Sequence, residues 1–116
     1  MANDIIKASN ELWASIIDKI SFDFLNKKII FDLLTIDNEV RTNHTFIIES
    51  YSDICILGES NSTLDFTFDS CDYYEITSIY FKQYHKVSFD LLIEIWNYKV
   101  GFNASSIVID GIKYNL

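Results

Sequence analysis

The sequence is rich in carboxylates, the side chains that most often supply general acid–base catalysis or divalent-cation sites. Asp90 and Glu94 lie four residues apart in a predicted strand, so they share a face at a separation of about 13 Å. That separation is too large for a glycosidase pair. Asp65, Asp69 and Asp72 lack the Asp-x-Asp-x-Asp-Gly spacing of a calcium loop. These spacings predict neither a catalytic carboxylate pair nor a metal site.

The sequence also contains no recognisable motif for nucleophilic catalysis. The chain has no Gly-x-Ser-x-Gly elbow, no His-Glu-x-x-His motif and no glycine-rich phosphate loop. Its two histidines fall near predicted loops, where His44 can meet Glu49 and His85 can meet Cys71. We expect structural roles for both, no enzyme and no cofactor; a deep pocket holding a histidine beside an acid would favour the enzyme alternative. Cys55 and Cys71 are expected to be buried thiols rather than a disulfide.

Charge is the feature with the clearest implication. The net charge is −8, and residues 42–81 contain seven acids with no lysine or arginine. A chain this acidic repels phosphate, so nucleic acid is not expected as a partner. A localised negative face attracts basic proteins and accelerates association with them, although a merely solubilising surface is the alternative. The predicted partner-binding residues are Asp53, Glu59, Asp65, Asp69, Asp72 and Glu75.

The elements that position these residues are one helix followed by strands. Apolar residues at spacings of three and four, including Ile5, Leu12, Trp13 and Ile16, predict a helix over about 4–19. Its apolar stripe, which includes Trp13, should be buried against an open edge or face of the sheet. From Ile20 onward the apolar period changes to two, which is typical of strands.

Short polar turns separate the predicted strands. Asn26-Lys27-Lys28 and Asp110-Gly111 have the composition of hairpin turns. No βαβ alternation follows residue 20, so the strands should be antiparallel. We predict a single domain over 1–116, mainly β (α+β by strict count), with about eight strands in 20–116 forming an antiparallel sandwich or partial barrel. The aromatic residues of 66–84 are expected to pack in the core, with a protein interface as the alternative.

Two further patterns bear on location. The apolar runs are shorter than the roughly 18–20 residues that a membrane helix needs, so no membrane association is expected. The N-terminal residues, with Asp4 and no long apolar run, do not resemble a signal peptide. A cytoplasmic location is therefore expected.

Several segments at the two ends of the chain resemble a known family. They are Glu11-Leu12-Trp13, Ile16-Ile17-Asp18, Phe22-Asp23-Phe24, Asn26-Lys27-Lys28-Ile29, Ile93-Glu94-Ile95-Trp96 and Ile107-Val108-Ile109-Asp110-Gly111-Ile112-Lys113-Tyr114. In these the chain resembles the YxiG-like group of small, acidic, uncharacterised bacterial proteins associated with toxin-immunity loci. The resemblance implies a β-rich cytoplasmic protein and, by association, toxin binding. The motifs are structural, so no functional residue is carried over.

Together these patterns predict a binding protein, an immunity protein that contacts a basic toxin through its acidic face. The alternative is a homo-oligomeric β domain without catalytic activity, in its simplest form a homodimer.

Overall fold

A computed structural model describes residues 2–57, 74–96 and 98–116 of the chain. In these residues one short helix is followed by nine strands. The bounds are α1 Ala2–Asn10, β1 Ile16–Asp23, β2 Lys28–Asp37, β3 Val40–Glu49, β4 Asp53–Leu57, β5 Ile76–Phe81, β6 Leu91–Ile95, β7 Tyr98–Asn103, β8 Ser106–Ile109 and β9 Ile112–Asn115.

The strands form two antiparallel sheets that pack into a sandwich. The first sheet has the order β1-β2-β3-β8-β9, and the second has the order β4-β7-β6-β5. Every strand pairing within them is antiparallel, as the sequence predicted. Among the described strands, the pairings do not join the outer strands of either sheet to each other, so the sheets are not closed into a barrel.

The predicted helix over 4–19 is wrong in its extent. The helix ends at Asn10, and Ile16 and Ile17 belong to β1. The backbone turns at Ala14, whose φ is +61°, and its N–H donates to the carbonyl of Ile76. The Ile76 N–H donates to Ser15 in return. Backbone hydrogen bonds to β5 therefore replace the helical bonds that the apolar spacing suggested.

The prediction that Trp13 is buried is also wrong. Its side chain is 68% exposed because it lies in the turn after the helix, where the helical period no longer applies. The same turn carries Leu12 into the core, where it is fully buried.

The predicted hairpin turns are confirmed. Residues 24–27 connect β1 to β2, so the first turn begins two residues earlier than predicted and Lys28 already belongs to β2. Asp110 and Gly111 connect β8 to β9 with φ of +49° and +86°, the positive values that a type I′ turn requires at both central positions. A second turn with two positive φ values, at Asn38 and Glu39, connects β2 to β3. The β3 strand therefore starts at Val40 and includes the polar residues Thr42 and Asn43.

The core lies between the two sheets. The first sheet contributes Phe31, Phe46 and Ile107, and the second contributes Phe81 and Ile93. The helix adds Ile5 to this cluster. A cleft beside α1 is lined by Lys7 and Glu11 together with Ile109 and Tyr114 from β8 and β9. The helix thus packs on the core through Ile5, although it is shorter than predicted and Trp13 does not take part.

The first strand lies near both edges of the second sheet. At its start, Ile16 bridges Glu75, which immediately precedes β5. Toward its end, Phe22 shares a cavity with Ile54 of β4. Because β4 and β5 are the two edges of the second sheet, β1 connects to both sides of that sheet.

Candidate functional site

The acidic segment 42–81 is only partly covered by the described residues. Glu59, Asp65, Asp69 and Asp72 lie outside them. Asp53 is exposed at the start of β4, and the half-buried Glu75 precedes β5. The structure does not bring these two together, because β4 and β5 are opposite edges of the second sheet.

Neither described member of the predicted contact set is neutralised. Asp53 accepts hydrogen bonds from the Asn103 amide at 3.1 Å and the Ser52 hydroxyl at 3.4 Å. Within the described part of the chain, neither Asp53 nor Glu75 forms an ion pair with a lysine or arginine. Their negative charge is therefore available to a partner.

Glu49 behaves differently from these two. Its carboxylate lies 3.4 Å from the Lys28 ammonium and 3.5 Å from that of Lys113, and it accepts a 3.0 Å hydrogen bond from the Ser106 hydroxyl. Partial burial opposes the charge on Glu49, but the hydrogen bond from Ser106 and the two ammonium groups outweigh it. The pKa of Glu49 is accordingly held below its ordinary value. One of the seven acids of the segment is thus neutralised by lysines from β2 and β9.

His44 lies within β3, not in a loop, and it meets Asp110 rather than Glu49. Its Nδ1 donates to Asp110 at 2.7 Å, and its Nε2 lies 3.2 Å from the Thr35 hydroxyl. This order of acid, imidazole and hydroxyl is the one used by nucleophilic hydrolases. However, the second Asp110 oxygen accepts the Thr45 N–H at 2.9 Å.

The environment of this chain of groups favours a structural role. Neither Thr35 nor His44 lines any of the three cavities that the described residues form most clearly. Acyl transfer needs a substrate position beside the hydroxyl and donors for the oxyanion. The contacts of Asp110 instead hold the β8–β9 turn against β3.

The other predicted reactive residues have local contacts. His85 Nδ1 accepts the Phe81 N–H at 3.0 Å, and its ring meets Tyr80 edge-on at 5.2 Å. Its predicted neighbour Cys71 lies outside the described residues. Cys55 is a half-buried free thiol on β4.

The carboxylates give no metal centre within the described residues. No three His, Cys, Asp or Glu side chains there are close enough together to hold an ion. Asp90 precedes β6 and accepts the Ala104 N–H, whereas Glu94 lies 3.7 Å from Lys99. The two carboxylates are therefore engaged separately.

Between the sheets lies an apolar cavity of about 230 Å³. Strands β1, β2, β4, β6 and β7 all contribute to its lining. The described lining residues, which define the apolar cavity below, are Ile20, Phe22, Ile29, Phe31, Ile54, Ile56, Ile93, Ile95, Val100 and Phe102. Not one of these side chains carries a hydrogen-bonding group, so the cavity offers contact only to hydrocarbon.

The cavity has an exposed rim formed by Phe22, Ile54 and Ile56. Ile54 and Ile56 are 41% and 40% exposed although they face the inside of the sandwich. Phe22 stacks on Phe24, with ring centroids 5.8 Å apart and planes within 10°. These four side chains extend the apolar surface from the cavity onto the outside of the protein. Contiguous exposed apolar surface of this kind marks binding sites.

Sequence reasoning missed this cavity and rim. The alternation of β1 and β4 predicted side chains that point inward, but it could not show that the inward face near β4 stays partly uncovered. The available signal was the run Ile54, Cys55, Ile56 and Leu57, which makes β4 apolar at positions that face both sides of the sheet.

The architecture defines the protein as an antiparallel β-sandwich with an N-terminal helix and a partly open apolar interior. Comparison with known families matches residues 5–114 to the YxiG-like protein family. The match spans nearly the whole chain, and the protein belongs to this family. No curated protein matches the sequence. Within the described residues, no helix has the length and apolar character needed to cross a bilayer.

Proposed function

We propose that this chain is a non-catalytic binding protein whose partner is a basic protein. The observation that carries the proposal is the position of the exposed rim and Phe24 next to the acid-rich sequence. β4, which supplies Ile54 and Ile56, begins at Asp53 and ends at Leu57. Residues 58–73, with four acids and no lysine or arginine, follow it directly in the sequence.

This arrangement has the composition of a protein-binding surface. Interfaces combine an apolar centre with a polar, charged periphery. The apolar side chains supply contact area, and the acids supply attraction and orientation toward a positively charged partner. Asp53, Glu59, Asp65, Asp69, Asp72 and Glu75 are the proposed contact acids, with Asp53 nearest to the rim in sequence.

The finer proposal is that the partner is a toxin and that the protein acts in the bacterial cytoplasm as its immunity protein. It is supported by the association of YxiG-like proteins with toxin-immunity loci, which the resemblance implies. An acidic protein that covers a basic functional surface inhibits by occupying it, without chemistry.

Charge reversal tests the proposal. The protein is immobilised and exposed to lysate from its source at low salt, and retained proteins are identified by native mass spectrometry. We expect a basic protein that is retained by the natural chain and lost by the triple variant Asp65→Lys, Asp69→Lys, Asp72→Lys. The matched control reverses Glu11, Asp18 and Asp37, which are exposed and lie outside 42–81; it should retain the partner. Equal loss in both variants, or no retained basic protein, contradicts the proposal.

Self-association is a second candidate that the rim also favours. β1 and β4 are edge strands of their sheets and carry the exposed Phe22, Ile54 and Ile56. Edge strands with apolar side chains can pair with a second copy. Light scattering between micromolar and millimolar protein distinguishes the two, because a monomer throughout removes the homo-oligomer.

A further inference from the structure

We infer that the apolar cavity between the sheets is a binding site for the acyl chain of a small amphiphile. This inference does not depend on the proposed protein partner. It rests on the size, the lining and the accessibility of the cavity.

The lining determines what can occupy the cavity. The ten described lining residues are Ile, Phe and Val only. Ordered water in a protein needs two to four polar partners, and a peptide backbone needs a partner for each buried N–H and C=O. The lining supplies neither. An occupant that lacks polar atoms in its buried part is the one that gains free energy on entry.

The volume is sufficient for such an occupant. An engineered apolar cavity of roughly 150 Å³ stays dry and binds benzene. This cavity, at about 230 Å³, is larger than that reference. It therefore has room for a substituted aromatic ring or a medium-length alkyl chain.

The rim supplies the entrance. Deep lining residues such as Ile93 and Ile95 are almost completely buried, whereas Ile54 and Ile56 are partly exposed. The cavity thus runs from the core to the surface at the edge strand β4. A ligand can enter there without unfolding either sheet, and an amphiphile can leave its polar head in water.

Isoleucine methyl NMR tests the inference on the intact chain. With the δ1 methyls labelled, toluene and decanoate are titrated separately as the aromatic and acyl probes. We expect saturable shifts at Ile93 and Ile95, and none at the core residues Ile5 and Ile109, which do not line the cavity. Saturable shifts with decanoate support the acyl chain, whether or not toluene also binds; shifts with toluene alone overturn it in favour of a free aromatic ligand. Absence of saturable shifts with both probes, or equal shifts at Ile5 and Ile109, overturns the inference.

A rim variant supplies the control. Ile56→Trp places a large side chain at the entrance, and we expect the apparent affinity to fall on the order of tenfold or more. Leu57→Trp is the matched variant, because successive strand residues face opposite sides and Leu57 does not line the cavity. It should bind as the natural chain does. If Ile56→Trp does not fold, Ile54→Trp, at the other partly exposed rim position of β4, should weaken binding instead. Unchanged affinity in the folded cavity variant contradicts the inference.

Discussion

At the scale of single residues, Glu49 shows how partners distant in sequence change the role of a charge. It belongs to the acidic segment, yet Lys28 of β2 and Lys113 of β9 neutralise it. Strand pairing places these lysines beside Glu49, since Lys28 is its partner in the β2–β3 ladder. In the folded protein, the acidic segment therefore has less unpaired negative charge than its sequence alone suggests.

Glu49→Gln should lower the free energy of unfolding by about 1 kcal/mol at pH 7, because it removes two partly exposed ion pairs. The pKa of Glu49 is depressed by Ser106 and the two lysines. Its contribution is therefore fully present above its ordinary value of 4.5 and is lost as the pH falls through the lower folded-state pKa.

Urea denaturation at a series of pH values between 7 and 2 measures this dependence. The difference between the natural chain and the variant should shrink below about pH 4.5 and vanish at the acid end. Glu11→Gln, at an exposed position, is the matched control and should show little effect at any pH. A difference that stays constant down to pH 2 would show that the Glu49 charge is not responsible.

The histidines show the limit of residue-level prediction. The sequence offered His44 a partner at Glu49, five residues away, but side chains five apart in a strand face opposite sides. The actual partner, Asp110, is brought to His44 because β8 pairs with β3. That long-range pairing has no local signal in the sequence.

At the scale of elements, the strands and turns were predicted where the signals are local. Alternation together with Asp110-Gly111 identified the β8–β9 hairpin. The helix end was not predictable, because it is set by the hydrogen bonds of Ala14 and Ser15 with Ile76. The sheet order, in which β4 pairs with β7 and β3 with β8, likewise depends on contacts between distant segments.

In the turn at Asn38 and Glu39, one residue can be replaced to stabilise the protein. Glu39 has φ of +68°, a conformation that is strained for a residue with a Cβ and favourable for glycine. Glu39→Gly should therefore raise the free energy of unfolding by about 1 kcal/mol. Thermal unfolding measures it, with Glu11→Gly as the control that lacks a positive φ. A decrease for Glu39→Gly would contradict the turn geometry.

Strand β7 contains a glycine at a position where a neighbouring aromatic ring leaves no room for a side chain. A Cβ on Gly101 would lie 2.4 Å from Cδ2 of Phe89, so Gly101→Ala should destabilise the protein by about 1–3 kcal/mol. In a Phe89→Ala background the obstruction is gone. The same substitution should then be neutral or stabilising, because alanine is preferred to glycine inside a strand.

A double-mutant cycle followed by urea denaturation measures the coupling between these two positions. The described contact predicts a large coupling energy. Equal effects of Gly101→Ala in both backgrounds would contradict the placement of the Phe89 ring.

At the scale of the whole molecule, the fold class followed from the sequence, but the uncovered side of the sandwich did not. The alternation of side chains along β4 directs the rim residues toward the interior, yet these residues are partly exposed to solvent. Only the way the two sheets pack on each other shows this. The net charge of −8 led to the prediction of a basic partner, which stays a prediction. The structure adds an apolar surface beside the start of the acid-rich sequence.

Phe24 tests whether this surface takes part in partner binding. Phe24→Ser removes a side chain that is 74% exposed and stacks on Phe22, so stability should change little while partner affinity falls roughly tenfold. Trp13→Ser is the matched control, since Trp13 is similarly exposed but lines a different cavity, together with Tyr80 and His85. Calorimetric titration with the retained partner measures the affinity of both variants. Equal losses of affinity would show that the rim does not take part in partner binding.

The rate at which the retained basic partner associates, measured by surface plasmon resonance at rising salt, tests the central claim most directly. Electrostatic attraction predicts a rate constant that falls steeply with salt for the natural chain. It also predicts a slow rate with little salt dependence for the variant with lysine at positions 65, 69 and 72. Equal rates and equal salt dependence in both proteins would contradict binding through the acidic segment.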